Sequence, residues 1–434
     1  HGERYASLAL PGTAARDLLV PAGLALFFAY VADPRRSIPS HTVLVTIAAA
    51  ALALALVHPT YALFVAVPLV GFWIVRGVVA RAEIRPIGVA LGGLLLPAAA
   101  VFLWLLPIVR DTASHRPEDD ELRRALAQYA GQVDVLSERS YRLAPEVFGR
   151  SGAVAIAALC LIPLAALALR RRWAAFVLGG SLAVLAIMLT PLLFSSFADA
   201  VSLSQARRAA GFLPFAFAFA GGVAVLTRLL GSFLLPVALA AGIALQLAYP
   251  GDFAYRLEDG GPAVVTWFAA LGGAGALIAV AVVRRRPGAL DRRNALVPLA
   301  AALFVLPVAV HGLANWDVRP ARSAAALTAG LERAVRTDVP EGDVVFSDLE
   351  TSYRLAAAAP VYIAAAPPGH VADTVENRPY ERREDVRVFL RTGDLAIPRR
   401  YRARWIVVDR NLFRKPLSLP SAYADARYVL YRLR

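Results

Sequence analysis

The chain of 434 residues is 58% hydrophobic and only 18% charged, with a mean hydropathy of +0.56. Water-soluble domains carry more charge and less apolar mass, so this composition excludes an ordinary soluble globular protein. Apolar runs close to the length that crosses a bilayer, roughly 20 residues, recur about ten times along the chain. We therefore predict a mostly α-helical polytopic membrane protein with about ten transmembrane helices and a small C-terminal α/β soluble domain.

The net charge of +14 is carried largely by arginine clusters at the ends of apolar runs, at residues 35–36, 170–172 and 284–286. Arginine in this position is typical of loops that stay in the cytoplasm. The pattern predicts a lipid bilayer with anionic headgroups, and no nucleic acid, as the partner of the basic charge. The single cysteine, Cys160, excludes a disulfide within one chain.

The transmembrane domain is predicted to cover residues 1–314. We place its spans at about 14–32, 42–57, the segment from 62 to 79, 86–109, 151–169, 174–194, 211–230, 232–249, 263–283 and 295–313. Residues 110–150 form a long polar stretch, in which an amphipathic helix from Glu118 is expected to lie along the membrane surface. Residues 195–206 are expected to form a loop. Because the chain opens at His1 without a signal peptide, we expect a fragment whose N-terminal part is missing.

Orientation follows from the arginine clusters. Placing residues 35–36 in the cytoplasm and alternating the spans puts the stretch 76–85 and the clusters at 170–172 and 284–286 on the same side. His58, the 110–150 stretch, Arg207-Arg208 and the C-terminal domain then lie outside. The expectation is a multi-pass plasma-membrane protein with an extracytoplasmic C-terminal domain.

The C-terminal domain, predicted at residues 315–434, alternates short apolar runs with helical patterns. Strands are predicted at 344–346, 361–363, 405–408 and 428–431, the last as an edge strand, and helices at 327–337, 349–358 and 384–391. Strands that alternate with helices predict a small α/β layer domain.

Arg207 and Arg208 stand at the start of an apolar span on the side where arginine is under-represented. The guanidinium group presents a planar fork of donors that matches phosphate oxygens, and it keeps its charge. The pair is therefore a candidate clamp for the phosphate or pyrophosphate of a lipid carrier. The alternative is ordinary anchoring, in which both side chains reach toward the headgroups.

His58 and Asp17 are the candidate catalytic residues on the same side. His58 lies at the outer end of the second span, and its pKa near neutrality suits a proton donor or a phosphate contact. A hydrogen bond to a neighbouring carbonyl is the alternative. Asp17 lies beside Arg16 one turn inside the first apolar run, where an acid is costly unless it is paired or functional. A structural pair with Arg16 is the alternative for this residue.

Two further stretches contain polar side chains that sites use. The acidic run 118–121 offers oxygen ligands for a divalent cation, although such runs more often begin a solvated helix. No cofactor is identified, and a divalent metal is left open. In the C-terminal domain, the loop after the second strand lies where α/β sheets place ligands. Its candidate substrate-binding residues, expected to cap the membrane site and contact sugar hydroxyls, are His370, Asp373, Asn377 and Arg378.

The arrangement resembles that of GT-C fold glycosyltransferases. The segments that carry the resemblance are Leu56–Tyr61, Gln205–Pro214, Val344–Asp348 and Trp405–Asp409. The resemblance implies sugar transfer from a polyprenyl-phosphate donor at the outer membrane face, with Arg207, Arg208 and His58 at the donor phosphate. It also implies a catalytic Asp or Glu in a large outer loop after the first span. That loop would precede His1, so we expect the general base upstream of this chain.

Three functions follow as hypotheses. The first is a membrane glycosyltransferase that moves a sugar from a polyprenyl-phosphate donor to an extracytoplasmic acceptor. The second is a transporter or flippase of a lipid-linked or anionic solute, which mid-span charges and internal repeats would favour. The third is a non-catalytic protein of envelope assembly. The absence of a glycine-rich phosphate loop, HExxH, nucleophile elbow and CxxC argues against nucleotide hydrolysis and protease chemistry.

Overall fold

The computed structural model describes residues 11–32, 40–112, 119–251, 256–283, 295–315, 326–371 and 377–433. The chain divides into two compact units. The first lies within residues 1–319, and the second comprises residues 320–434 together with 111–114.

In its described residues, the first unit is helical apart from one hairpin and the connecting turns. Its elements in chain order are α1 (Gly12–Ala32), α2 (Ser40–Val57), α3 (Pro59–Val79), α4 (Ile84–Thr112), α5 (Asp119–Gln128), β1 (Val133–Ser137), β2 (Ser140–Leu143), α6 (Glu146–Gly149), α7 (Ala153–Leu161), α8 (Arg172–Leu189), α9 (Pro191–Val201), α10 (Leu203–Ala206), α11 (Phe215–Leu230), α12 (Leu234–Ala248), α13 (Ala263–Trp267), α14 (Gly273–Val283) and α15 (Leu296–Ala314). Short 3₁₀ segments connect several of them, among them Arg207–Phe212 between α10 and α11.

Seven helical segments of the described residues are long and apolar enough to cross a membrane. They are Gly12–Ala32, Pro59–Val79, Arg81–Pro107, Arg172–Leu189, Leu203–Ala248, Ala263–Val282 and Leu296–Ala314. The protein is therefore mostly helical, and these helices indicate a bilayer environment.

The predicted count of about ten spans is not confirmed, for two physical reasons. The helices at two of the predicted spans, His41–Val57 and Ala153–Ala168, are shorter than 18 residues. In addition, the seventh and eighth predicted spans fall within one apolar helical segment, Leu203–Ala248, which counts once although Leu213-Pro214 and Gly231 interrupt its helical geometry.

Two parts of the polar loops differ from prediction. Residues 195–206 are not a loop, because most of them belong to α9 and α10. The amphipathic helix is present as α5, but Leu122 and Leu126 on its apolar side are buried in the protein core instead of facing lipid. The β1–β2 hairpin that follows α5 was not predicted.

The largest helix–helix contact joins α3 and α8. It depends on two glycines that face each other: a Cβ on Gly71 would lie 2.1 Å from the Gly179 carbonyl oxygen, and a Cβ on Gly179 would lie 2.3 Å from the Gly71 carbonyl oxygen. Small residues allow two helix backbones to approach this closely, and the close approach increases van der Waals contact. Such contact stabilises helix pairs in a bilayer, because lipid is as apolar as the helices and the hydrophobic effect does not drive them together.

One end of this helix pair is held by a charge cluster around Glu83, which we name the Glu83 cluster. The side chain of Arg76, only 4% of which is exposed, donates to Glu83 at 2.9 Å and to the Arg170 carbonyl oxygen at 2.9 Å. Arg172 donates to the other Glu83 oxygen at 2.9 Å and to the Ala32 carbonyl oxygen at 3.2 Å. The ends of α1 and α3 and the start of α8 therefore meet at one end of the bundle.

The second unit is a mixed five-stranded sheet with helices on both faces. Its elements are α16 (Ala329–Asp338), β3 (Val344–Phe346), α17 (Leu349–Ala358), β4 (Tyr362–Ile363), α18 (Pro379–Thr392), α19 (Ala396–Arg400), β5 (Trp405–Asp409), β6 (Ser421–Ala424) and β7 (Tyr428–Arg432). The strand order is β4-β3-β5-β7-β6, with β3 parallel to β4 and β5, and with β7 antiparallel to β5 and β6.

Successive side chains of β5 point to opposite faces of the sheet, and a helix covers each face. Trp405 and Val407 pack with Leu331 of α16 on one face, whereas Ile406 and Val408 pack with Phe389 of α18 on the other. A strand buried on both faces reads as a continuous apolar run, and this is why the sequence located it. The expectation that residues 428–431 form an edge strand is wrong, since β7 lies between β5 and β6.

The start of α17 allows a direct test of capping. Asp348 lies before the first turn, and its carboxylate accepts a hydrogen bond from the Thr351 backbone N–H at 3.0 Å. We expect Asp348→Ala to lower the local stability of α17 by about 1 kcal/mol, because that N–H loses its acceptor. Hydrogen exchange of residues 349–358 in the full chain measures this loss. Glu350→Ala, at an exposed neighbouring position, is the matched control, and equal exchange in both variants would contradict the capping role.

Candidate functional site

The arginine pair begins the 3₁₀ segment Arg207–Phe212, within the helical run Leu203–Ala248. Ser202, with a φ of 74°, separates α9 from α10 just before it. The chain thus changes direction immediately ahead of the pair. Arg208 is exposed and Arg207 is half-buried.

Arg207 is held by the surface segment that follows α5. Its guanidinium group lies over the Tyr129 ring, 4.2 Å from the ring centroid, and its Nη1 donates to Gln132 Oε1 at 2.8 Å. The Nε of Arg207 is buried and has no hydrogen-bond partner within the described ranges. The group is therefore fixed in direction, and its buried Nε is left without a hydrogen-bond acceptor among the described residues.

His58 lies at the break between α2 and α3, which Pro59 enforces because proline lacks an N–H and begins a new helix. Its ring stacks on Tyr61 at 3.8 Å between centroids, and its Nδ1 lies 3.0 Å from the Thr60 hydroxyl. The same hydroxyl donates to Gln205 Oε1 at 3.4 Å. In that arrangement the hydroxyl accepts from Nδ1–H, which leaves Nε2 as the basic nitrogen of His58.

Burial lowers the pKa of His58 below its ordinary value of 6.5, and the positive charge of Arg208 lowers it further. His58 is therefore neutral at pH 7 and has a lone pair that can accept a proton. The interaction with Arg208, together with the Thr60–Gln205 hydrogen bond, shows that His58 and the segment that carries the arginine pair lie close together.

The lowered pKa of His58 has a measurable consequence for stability. Unfolding returns the ring to its ordinary pKa, so its contribution to the free energy of unfolding is complete above about pH 6.5 and is lost as the pH falls through the folded pKa. We expect His58→Gln to flatten the acid-side decline of the unfolding temperature between about pH 7 and about pH 5. Thermal unfolding across this range measures it, with His41→Gln as the control. An unchanged slope in His58→Gln would contradict the lowered pKa.

Asp17 forms the intrahelical pair that the sequence left as an alternative. Its carboxylate accepts from the Arg16 Nε at 2.8 Å, and both side chains are exposed. The start of the same helix touches His58, since a Cβ on Gly12 would lie 3.4 Å from His58 Cδ2. Asp17 is thus at the same end of the bundle as His58, with its charge balanced by Arg16.

Two further arginines lie at this end, and the sequence reasoning did not select them. Burial lowers the pKa of Arg150, and repulsion from Arg256 and Arg207 lowers it further. Arg150 follows α6, and Arg256 belongs to the loop before α13. By the predicted topology both lie on the outer side, so the anomaly that identified Arg207-Arg208 would also have identified them. We name Arg150, Arg207, Arg208 and Arg256 the arginine cluster.

The arginine cluster lacks acidic partners. Across the described ranges, none of its four members forms a salt bridge, and no carboxylate offsets the two arginines that act on Arg150. Four guanidinium groups that stay charged and repel one another are stabilised by an anion. The cluster is therefore a candidate anion-binding site.

The candidate residues of the C-terminal domain belong to the second unit. His370 is exposed and stacks on Tyr353, with 4.5 Å between ring centroids. Arg378 pairs with Glu381 at 3.3 Å at the start of α18, and Asn377 precedes it. Asp373 lies outside the described residues. Their role in substrate binding stays a prediction.

In the described part of the acidic run, residues 119–121, two aspartates pair with arginines. Asp119 accepts from Arg139 at 2.6 Å, and Asp120 pairs with Arg123. No group of three His, Cys, Asp or Glu side chains able to hold a metal ion occurs among the described residues.

Comparisons of the chain with protein-family models, with curated proteins and with solved structures gave no match. The function is therefore argued from the geometry of the site.

Proposed function

We propose that the protein is a multi-pass membrane glycosyltransferase that moves a sugar from a polyprenyl-phosphate donor to an extracytoplasmic acceptor. The observation that carries the proposal is the arginine pair: Arg207 is fixed in direction by Tyr129 and Gln132, and neither Arg207 nor Arg208 is neutralised by a carboxylate of the described residues. The polyprenyl tail stays in the lipid while the phosphate reaches the pair.

The chemistry of transfer fits these residues. When the acceptor oxygen attacks the anomeric carbon, the bond between that carbon and the phosphate oxygen breaks, and negative charge grows on the leaving phosphate. Fixed guanidinium groups stabilise that charge without reorganising during the reaction. His58, on whose charge Arg208 acts, offers the basic nitrogen Nε2 close to the pair as a place for the acceptor proton.

The membrane orientation is part of the proposal. The Glu83 cluster and residues 170–172 lie at one end of α3 and α8, and His58 lies at the other end of α3. With 21 residues, α3 separates these ends by about 31 Å, close to the thickness of the hydrocarbon core. The positive-inside rule places the Glu83 end in the cytoplasm of a plasma membrane and His58 outside.

Ten crossings are compatible with the seven long helical segments. The short helices His41–Val57 and Ala153–Ala168 add two, and Leu203–Ala248 contributes two through α11 and α12, which are separated at Gly231 with a φ of 58°. An even number of spans between residues 1 and 314 would return the chain to the side of its first residue. The C-terminal domain is then extracytoplasmic.

The proposal is tested by supplying donors to the full chain in proteoliposomes. A panel of short-chain polyprenyl-phosphate monosaccharides, each radiolabelled in the sugar, is incubated with membrane-derived acceptor material. Release of unlabelled polyprenyl phosphate together with label in the acceptor supports the proposal. Movement of intact labelled donor across the bilayer with no transfer would overturn it in favour of a flippase.

A further inference from the structure

Arg150 and Arg256 are fixed to each other through the backbone. The Leu257 N–H donates to the Arg150 carbonyl oxygen at 2.8 Å, and the Gly261 N–H donates to the Glu146 carbonyl oxygen at 2.8 Å. A Cβ on Gly261 would lie 2.5 Å from the Gly149 Cα, so the loop before α13 packs backbone to backbone on α6. The backbone segments that carry the two arginines are thus joined to each other.

The same surface contacts the arginine pair. Helix α6 packs against the segment Arg207–Phe212, which brings Arg150 near enough for the charge of Arg207 to act on it. Arg207 is itself fixed by Tyr129 and Gln132. The four guanidinium groups therefore come from three separate parts of the chain, each held by its own contacts.

The number of charges distinguishes between ligands. A sugar joined to a lipid through one phosphate carries one negative charge, whereas a sugar joined through a diphosphate carries two, and the diphosphate that leaves carries more. Four arginines that form no salt bridge with a described carboxylate, beside a neutral His58, exceed what one phosphate balances. Each phosphate oxygen pair can be matched by one guanidinium fork.

We propose that the arginine cluster binds a diphosphate, with Arg207 and Arg208 at one phosphate and Arg150 and Arg256 at the other. The inference rests on the proposed function in taking the arginine pair as the donor site, and it narrows the donor to a polyprenyl diphosphate carrier. The second phosphate site stabilises the additional charge of the leaving group.

The test compares matched probes on the full chain in nanodiscs. Farnesyl diphosphate is expected to bind at least about tenfold more tightly than farnesyl monophosphate, since two further charge-assisted contacts form. The double variant Arg150→Gln/Arg256→Gln is expected to bind both probes within about threefold of each other, while Arg150→Lys/Arg256→Lys retains part of the preference. The retained preference of the lysine variant shows that its fold is intact.

The same binding comparison supplies a control variant and the results that would contradict the proposal. Arg139→Gln, which removes an exposed arginine paired with Asp119, is expected to keep the full preference. Equal binding of the two farnesyl probes by the wild-type chain would overturn the proposal, as would loss of preference in Arg139→Gln. Inorganic pyrophosphate and inorganic phosphate form a second pair of probes. Competition by pyrophosphate as strong as that by farnesyl diphosphate would overturn the lipid carrier and assign a soluble diphosphate.

Failure of this inference and failure of the proposed function give different results. Sugar transfer from a monophosphate donor with no preference for diphosphate probes would overturn the diphosphate alone. Selective binding of farnesyl diphosphate with no transfer from any donor would overturn the glycosyltransferase and leave the diphosphate site standing.

Discussion

Replacing Arg207 by glutamine is expected to lower the rate of sugar transfer by about 100-fold to 1,000-fold while the protein still accumulates in the membrane. Glutamine keeps much of the length of the side chain but removes the charge that the leaving phosphate requires. Its amide also cannot present the fork that matches two phosphate oxygens. The measurement is transfer of labelled sugar by the full chain in proteoliposomes, normalised to the amount of folded protein.

Two companion variants make the result specific. Arg207→Lys restores the charge without the fork, so we expect partial recovery of transfer. Arg228→Gln removes an arginine from the far end of α11, and it is expected to leave transfer unchanged. Wild-type transfer by Arg207→Gln would contradict the role of the pair and would favour headgroup anchoring, in which only membrane placement depends on the arginine.

Replacing Gly179 by valine is expected to destabilise the membrane unit by about 3 kcal/mol or more, which is enough to reduce the yield of folded protein. The added Cβ would meet the Gly71 carbonyl oxygen at 2.3 Å, and backbone cannot move aside as a flexible side chain can. The α3–α8 contact would have to open, and the packing that depends on close approach would be lost. The unfolding temperature in detergent measures the loss of stability. The fraction of protein that elutes as a monodisperse peak in size-exclusion chromatography measures the yield of folded protein.

The control for Gly179 is another glycine in an apolar helix. A Cβ on Gly275 in α14 would meet nothing within 4 Å, so Gly275→Val adds the same side chain without a clash. We expect its unfolding temperature to stay close to that of the wild-type chain. If both valine variants lost the same stability, helix propensity would explain the effect and the glycine contact would not.

The sequence located the apolar elements because burial on both sides leaves a continuous signal. Residues 344–346, 349–358 and 405–408 were predicted as strand, helix and strand, and β3, α17 and β5 confirm them within a residue. The true edge strand β6 was missed because Ser421–Ala424 lies largely exposed and has no apolar run. Without β6, the neighbouring β7 was wrongly assigned to the edge.

The residues of the candidate site also differ in how well the sequence predicts them. Arg207-Arg208 and His58 were identified from local features: the pair stands at the start of an apolar span on the side where arginine is under-represented, and His58 lies at the outer end of a span. The same charge anomaly applies to Arg150 and Arg256, but each is a single residue in a polar stretch, and only tertiary contacts bring their segments close to Arg207. The helical character of residues 195–201 was missed because Ser195, Ser196 and Asp199 interrupt the apolar run that ends at Phe194, although α9 as a whole is an apolar helix.

The Glu83 cluster has a consequence for how the chain is built into the membrane. Arg76 and Glu83 are 7 residues apart and can pair as soon as α3 and the start of α4 have left the ribosome. Arg172 follows 89 residues after Glu83, when the earlier helices are already inserted. After Arg76 has bound Oε2 of Glu83, the Oε1 atom can still accept the hydrogen bond from Arg172. The bonds of Glu83 hold the start of α8 at the end of α3, and in that alignment Gly179 faces Gly71.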